Sequence, residues 1–151
     1  MAEVLEHVLL IERRIDTLIE RHVATITPRS GPAQTIPGVD ALIDTRRLLD
    51  RSRKITTGDA TQPRGGMEVA RLREALDESR GTLLHTIERC DGLALESVSI
   101  PHAVLGPINL YQWIAFVGTH EARHAAQIRE TATLLAGVDR ADDESAQHEP
   151  S

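Results

Sequence analysis

Residues 109–135, NLYQWIAFVGTHEARHAAQIRETATLL, decide how the rest of the chain is understood. Leu110, Trp113, Val117, His120, His124, Ile128, Thr131 and Leu135 follow one another at spacings of 3, 4, 3, 4, 4, 3 and 4. That rhythm is one face of a 3.6-residue helix. Asn109 and Gln112 form a capping-box pair at its start, and Gly137 is a natural residue to stop it. Two histidines therefore stand on the apolar stripe of the longest helix.

Outward from this segment, two further long helices are expected. The first covers about Ala2 to Ala24, with Val4, Val8, Ile11, Ile15, Leu18, Ile19 and Val23 on one face and His7 on the same stripe. The other runs from about Met67 to Cys90, with Val69, Leu72, Leu76, Leu83 and Ile87 inward. Thr27-Pro28, Ser30-Gly31-Pro32 and Pro37-Gly38 break the chain after the first. A shorter amphipathic helix then spans about Val39 to Asp50, with Val39, Leu42, Ile43 and Leu49 inward. The run Arg51-Ser52-Arg53-Lys54 leads into a stretch holding Thr57-Gly58-Asp59 and Pro63-Arg64-Gly65-Gly66. A strap between Asp91 and Pro107 suits short extended pieces. Residues 1–137 form one domain, and 138–151 an acidic tail without apolar period, expected to be disordered.

Composition supports an all-α domain and narrows the partners. Of 151 residues, 40% are hydrophobic but only three are aromatic, which disfavours a sheet-rich fold. Seventeen Lys and Arg against 23 Asp and Glu leave a net charge of −6, so nucleic acid and anionic membrane are not expected partners. No apolar run approaches the ~20 residues that span a bilayer, and the N-terminus lacks the features of a signal peptide. A single cysteine, Cys90, rules out an internal disulfide and suits a cytoplasmic setting.

Burying an imidazole without partners costs about 1–3 kcal/mol, and His7, His120 and His124 all fall on buried stripes. A divalent metal would collect them. His120 and His124 are one turn apart with ~6 Å of rise between their backbones, so both rings can converge on one ion at roughly 2.0–2.1 Å. His7 supplies a third ligand from another helix. Three neutral imidazoles leave an open position, as catalytic sites do. The competing reading makes the histidines satisfied core residues, or holders of a structural ion, in a helical module that binds a partner.

His120-Glu121-Ala122-Arg123-His124 also fits H-E-x-x-H, in which the glutamate is the general base of a zinc protease. The metzincin continuation is absent, with Gln127 and Glu130 where glycine and histidine belong, and Glu144 and Glu149 lie in the tail. Glu121 is a weaker candidate for proton transfer, because an i+1 neighbour points about 100° away from His120. His102, after Pro101 in the strap, is placed to edge the site. His22, His85 and His148 look like surface residues. Arg51 to Lys54 suits a solvated helix end, and Cys90 has no base beside it by spacing.

Two segments carry a family resemblance. Glu6-His7-Val8-Leu9-Leu10-Ile11-Glu12 resembles the first metal-ligand helix of the DinB superfamily. Leu105 to Trp113, followed by His120 to Ile128, resembles its final helix. The resemblance implies a four-helix bundle in which His7, His120 and His124 hold a divalent metal, commonly zinc or nickel. It also implies a metal-dependent enzyme acting on a small-molecule substrate, in the manner of low-molecular-weight-thiol S-transferases or of mycothiol-dependent maleylpyruvate isomerase, or else a hydrolase. The family pattern places a helix before the His7 helix, and this sequence begins at the His7 helix itself. An upstream start, a partner subunit or the Val39–Asp50 helix would cover the flank this leaves, and a homodimer is the expected partner state.

Overall fold

The computed structural model describes residues 1–30, 38–52 and 58–146; Gly31, Pro32, Pro37, Arg53, Lys54, Thr57 and His148 lie outside that set. Helix α1 (Ala2–Val23) buries His7, Val8, Leu9, Glu12, Ile15 and Ile19. The expected stripe is there, shifted to admit one carboxylate. Helix α4 (Val69–Arg89) packs along α1 and buries Leu72, Ser79, Leu83 and Thr86. Val69, expected inward, is 42% exposed in the first turn. Helix α5 (Leu110–Ala146) lies against α1 from another side, so α1 touches both other long helices.

The expected Val39–Asp50 helix is two pieces, α2 (Val39–Leu42) and α3 (Thr45–Leu49). Asp44 separates them by capping the second, its Oδ1 accepting from Arg47 N at 3.1 Å. An aspartate satisfying free helical N–H groups is worth more at a cap than inside a helix. The break rotates the face, so Leu48 rather than Leu49 turns inward, at 3% against 44% exposure. Both pieces pack on α5.

Between α4 and α5 the strap makes a 3₁₀ turn (Leu95–Ser97) and a hairpin of β1 (Ser99–His102) and β2 (Gly106–Asn109). The register places Ser99 opposite Asn109 and His102 opposite Gly106. Gly106 has φ +77°, the left-handed conformation that closes a three-residue hairpin loop. The capping box at the start of α5 is reciprocal: Asn109 N donates to Gln112 Oε1 at 2.8 Å and Gln112 N to Asn109 Oδ1 at 3.0 Å. Gln112 also donates to the Leu42 carbonyl at 2.7 Å, tying α2 to the site-bearing helix.

Helix α5 does not stop at Gly137; its backbone stays helical to Ala146. A glycine weakens a helix by roughly 1 kcal/mol but ends it only where it turns left-handed. The segment expected as an irregular tail thus falls partly on this extension and partly on residues 147–151, outside the described set. At 37 residues α5 is roughly 55 Å long, whereas α1, with 22, spans roughly 33 Å. Helix α5 outruns its neighbours, which is why Thr131 and Leu135, although on the stripe, are exposed.

Candidate metal centre

The three stripe histidines meet. His7 Nε2 lies 3.2 Å from His120 Nε2, and His124 Nε2 is also 3.2 Å from it. All three nitrogens fall within 4.8 Å of one another. Tetrahedral nitrogen ligands at 2.0–2.1 Å from an ion stand about 3.3 Å apart, so the spacing is close to that of a ligand set.

The opposite ring edges decide which nitrogens face one another. His7 Nδ1–H donates to the Thr61 carbonyl at 2.9 Å, and His124 Nδ1–H donates to Gln127 Oε1 at 2.9 Å. With those protons spent outward, the Nε2 atoms of His7 and His124 present lone pairs to His120 Nε2. One proton on His120 bridges only one of them at a time. A divalent ion satisfies all three.

Electrostatics favours neutral rings. Burial pushes the His120 imidazole down to about 3, helped by the fields of His124, His7, Arg123 and His102. Burial also lowers His124, against the opposing effect of its Gln127 hydrogen bond. Neutral imidazole is the form that ligates a metal.

The chain builds this centre from far apart. Thr61 ends a 3₁₀ turn (Asp59–Thr61), its hydroxyl donating to the Gly58 carbonyl at 3.0 Å. Beside His7, the Glu6 carboxylate accepts from Arg64 N at 3.0 Å and Gly65 N at 2.9 Å, pinning the following segment to α1. Nothing in the sequence pattern marked Thr61, because it acts through its backbone carbonyl. Gln127 was legible in principle, three residues beyond His124 on the same helix.

The histidines line a cavity of about 690 Å³. Trp113 and Phe116, seven and four residues before His120 on the same helix, wall it, with Phe116 5.3 Å from the His120 ring and Trp113 5.8 Å from Phe116. His102 joins them, 4.5 Å from Phe116 and 5.0 Å from Trp113. Tyr111 instead faces Arg29, its hydroxyl accepting from Nη2 at 2.7 Å.

Glu121 stands elsewhere and is not among the described residues lining the cavity. Its carboxylate pairs with Arg80 of α4, which also binds Glu12 of α1. Burial pushes the Glu121 carboxyl up against the pull of Arg80, and nearby Glu12 pushes it further. The H-E-x-x-H spacing is therefore present with its glutamate engaged by another helix. Cys90 is buried, its thiol donating to the Thr86 carbonyl at 3.2 Å, and burial raises its pKa. His22 bonds the Leu18 carbonyl within its own helix, and His85 is exposed.

Converging histidines on two helices, with oriented outer edges and a cavity above them, define an α-helical protein whose centre fits a divalent metal. The chain belongs to the DinB superfamily, whose family model matches residues 1–128. No curated protein and no solved structure matches the chain. No helix among the described residues is long and apolar enough to cross a membrane.

Proposed function

We propose that this protein is a metal-dependent enzyme acting on a small molecule, with His7, His120 and His124 holding zinc or nickel and a low-molecular-weight thiol or water as co-reactant. The supporting observation is the convergence of three Nε2 atoms on the wall of an open cavity, with two Nδ1–H groups directed to Thr61 and Gln127. A divalent ion there would supply Lewis acidity that lowers the pKa of a coordinated thiol or water. The protein's part is to orient the rings and keep them neutral. Trp113 and Phe116 shield one side from bulk water, and the cavity admits the substrate. A thiol S-transferase reaction suits this arrangement better than peptide hydrolysis, because the Glu121 carboxylate is engaged by Arg80. The reading includes a homodimer, in which exposed Leu134 and Leu135 would be covered; sedimentation velocity tests that part.

The test is the metal content of protein purified without a histidine tag, compared with His7→Ala, His120→Ala and His124→Ala. One ion per chain is expected in the parent and a small fraction of that in each variant. Stoichiometric metal in the His120 and His124 variants would rule the centre out. Cobalt-substituted protein, whose visible spectrum responds when a thiol enters the coordination sphere, separates an open catalytic site from a closed structural one.

A further inference from the structure

The cavity carries a sign opposite to that of the chain. The protein has a net charge of −6, yet the described side chains lining the cavity include Arg14 and Arg123 and no Asp or Glu. Arg123 is anchored by backbone carbonyls, its Nη1 donating to Leu48 at 2.9 Å and Asp50 at 2.6 Å. Its positive field reaches the histidines, contributing to the lowered pKa of both His120 and His124. Arg14 is exposed on α1 and has no carboxylate partner among the described residues.

A further donor stands on the same walls. His102 Nδ1 accepts from Val104 N at 3.1 Å and Leu105 N at 3.2 Å, both in the hairpin loop. That leaves the proton on Nε2, which has no acceptor among the described residues. The Thr61 carbonyl is engaged by His7 and Gln127 Oε1 by His124. His102, Trp113 and Phe116 meanwhile form a wall of rings whose centroids lie 4.5–5.8 Å apart.

We propose that this cavity binds a small carboxylate with a flat apolar body, the body against Trp113 and Phe116, and the carboxylate toward Arg14, Arg123 and the His102 Nε2–H. A cationic ligand would meet two guanidinium groups. An arginine fork suits a planar carboxylate in particular, and about 690 Å³ accommodates a ligand of that size. The proposal names the substrate class for the metal-enzyme reading, but rests on side chains other than the ligands.

Trp113 is the only tryptophan and reports on this wall directly. Benzoate, benzyl alcohol and phenyl phosphate are titrated against Trp113 fluorescence in chelator-treated and in zinc-loaded protein. Benzoate is expected to bind at least tenfold tighter than benzyl alcohol in both forms. Arg14→Gln, a surface substitution, should weaken benzoate at least threefold and leave benzyl alcohol unchanged; His102→Phe should likewise weaken benzoate selectively. Equal binding of benzoate and benzyl alcohol, or benzoate binding indifferent to Arg14→Gln, overturns the proposal. Tighter binding of phenyl phosphate than of benzoate overturns the carboxylate assignment. Because the chelator-treated arm contains no ion, failure of the metal centre and failure of this proposal are read separately.

Discussion

Arg80 of α4 binds Glu12 of α1 through two nitrogens onto one oxygen, Nε at 3.0 Å and Nη2 at 2.6 Å. Glu12 is only 1% exposed, and its second oxygen has no hydrogen-bond partner. Arg80 also reaches Glu121, the residue after a proposed metal ligand. One guanidinium thus joins all three long helices at the level of the histidines.

Removing that cation is expected to cost far more than a surface ion pair. Arg80→Met leaves a buried carboxylate uncompensated, a loss of about 3–5 kcal/mol by analogy with broken buried pairs, trimmed toward the lower end because the Arg80 side chain is 42% exposed. Urea denaturation measures it. The double variant Arg80→Met with Glu12→Leu should recover part of the loss, since it removes both the charge and its partner. A single-variant loss below about 0.5 kcal/mol, the size of an exposed pair, would contradict this account.

A second prediction concerns ring orientation. Gln127 holds His124 through Nδ1–H without belonging to the three-histidine set. Gln127→Ala is expected to lower metal affinity by about tenfold or more while preserving one ion per chain, as removal of outer hydrogen-bond partners does elsewhere. Gln127→Glu should hold or strengthen affinity, because a carboxylate is the stronger acceptor. Competition with a chromophoric chelator gives the constants. Unchanged affinity in Gln127→Ala would mean that packing alone orients the His124 ring.

Stability of the metal-free protein should fall as the solution becomes acidic, earlier than carboxylate titration would produce. An unfolded histidine takes its proton near pH 6.5, whereas folded His120 resists until about 3 and folded His124 also titrates lower than usual. A group whose folded pKa is depressed contributes stability above its unfolded pKa, and that contribution is lost as pH falls toward the folded value. Glu121, raised above its ordinary value, works in the opposite sense, but it is one group against three, because burial lowers His102 too. Urea midpoints recorded in chelator from pH 8 to pH 5 should begin to decline near 6.5. The decline should be shallower in His120→Ala. A midpoint that rises as pH drops from 6.5 to 5 would contradict the buried neutral rings.

Much of this architecture is legible as periodicity, because long amphipathic helices write their buried faces at three- and four-residue spacing. His7, His120 and His124 could be assembled on that basis alone, and the Asn109–Gln112 capping box is a local pattern that needs no tertiary context. Glu12 was not legible as a core residue, since its burial depends on Arg80, 68 positions away. The split at Asp44 turns on a competition between helix continuation and capping that a hydrophobic stripe does not record. The exposure of Leu135 follows from the unequal lengths of α5 and α1, a property of the assembly. His102 is placed by the hairpin loop, whose Val104 and Leu105 amides fix the ring through backbone groups.

The centre should also govern thermal stability. A ligand that binds only the folded state adds RT ln(1 + [L]/Kd), about 2.7 kcal/mol when free metal is 100 times Kd. At roughly 2–4 °C per kcal/mol for a domain of this size, zinc at that excess should raise the melting temperature by about 5–10 °C over chelator-treated protein. The increment should vanish in His120→Ala and persist in Arg14→Gln, because Arg14 lines the cavity without belonging to the ligand set. Scanning calorimetry at fixed free zinc measures both. An increment that survives His120→Ala would place the stabilising metal somewhere other than on these three histidines.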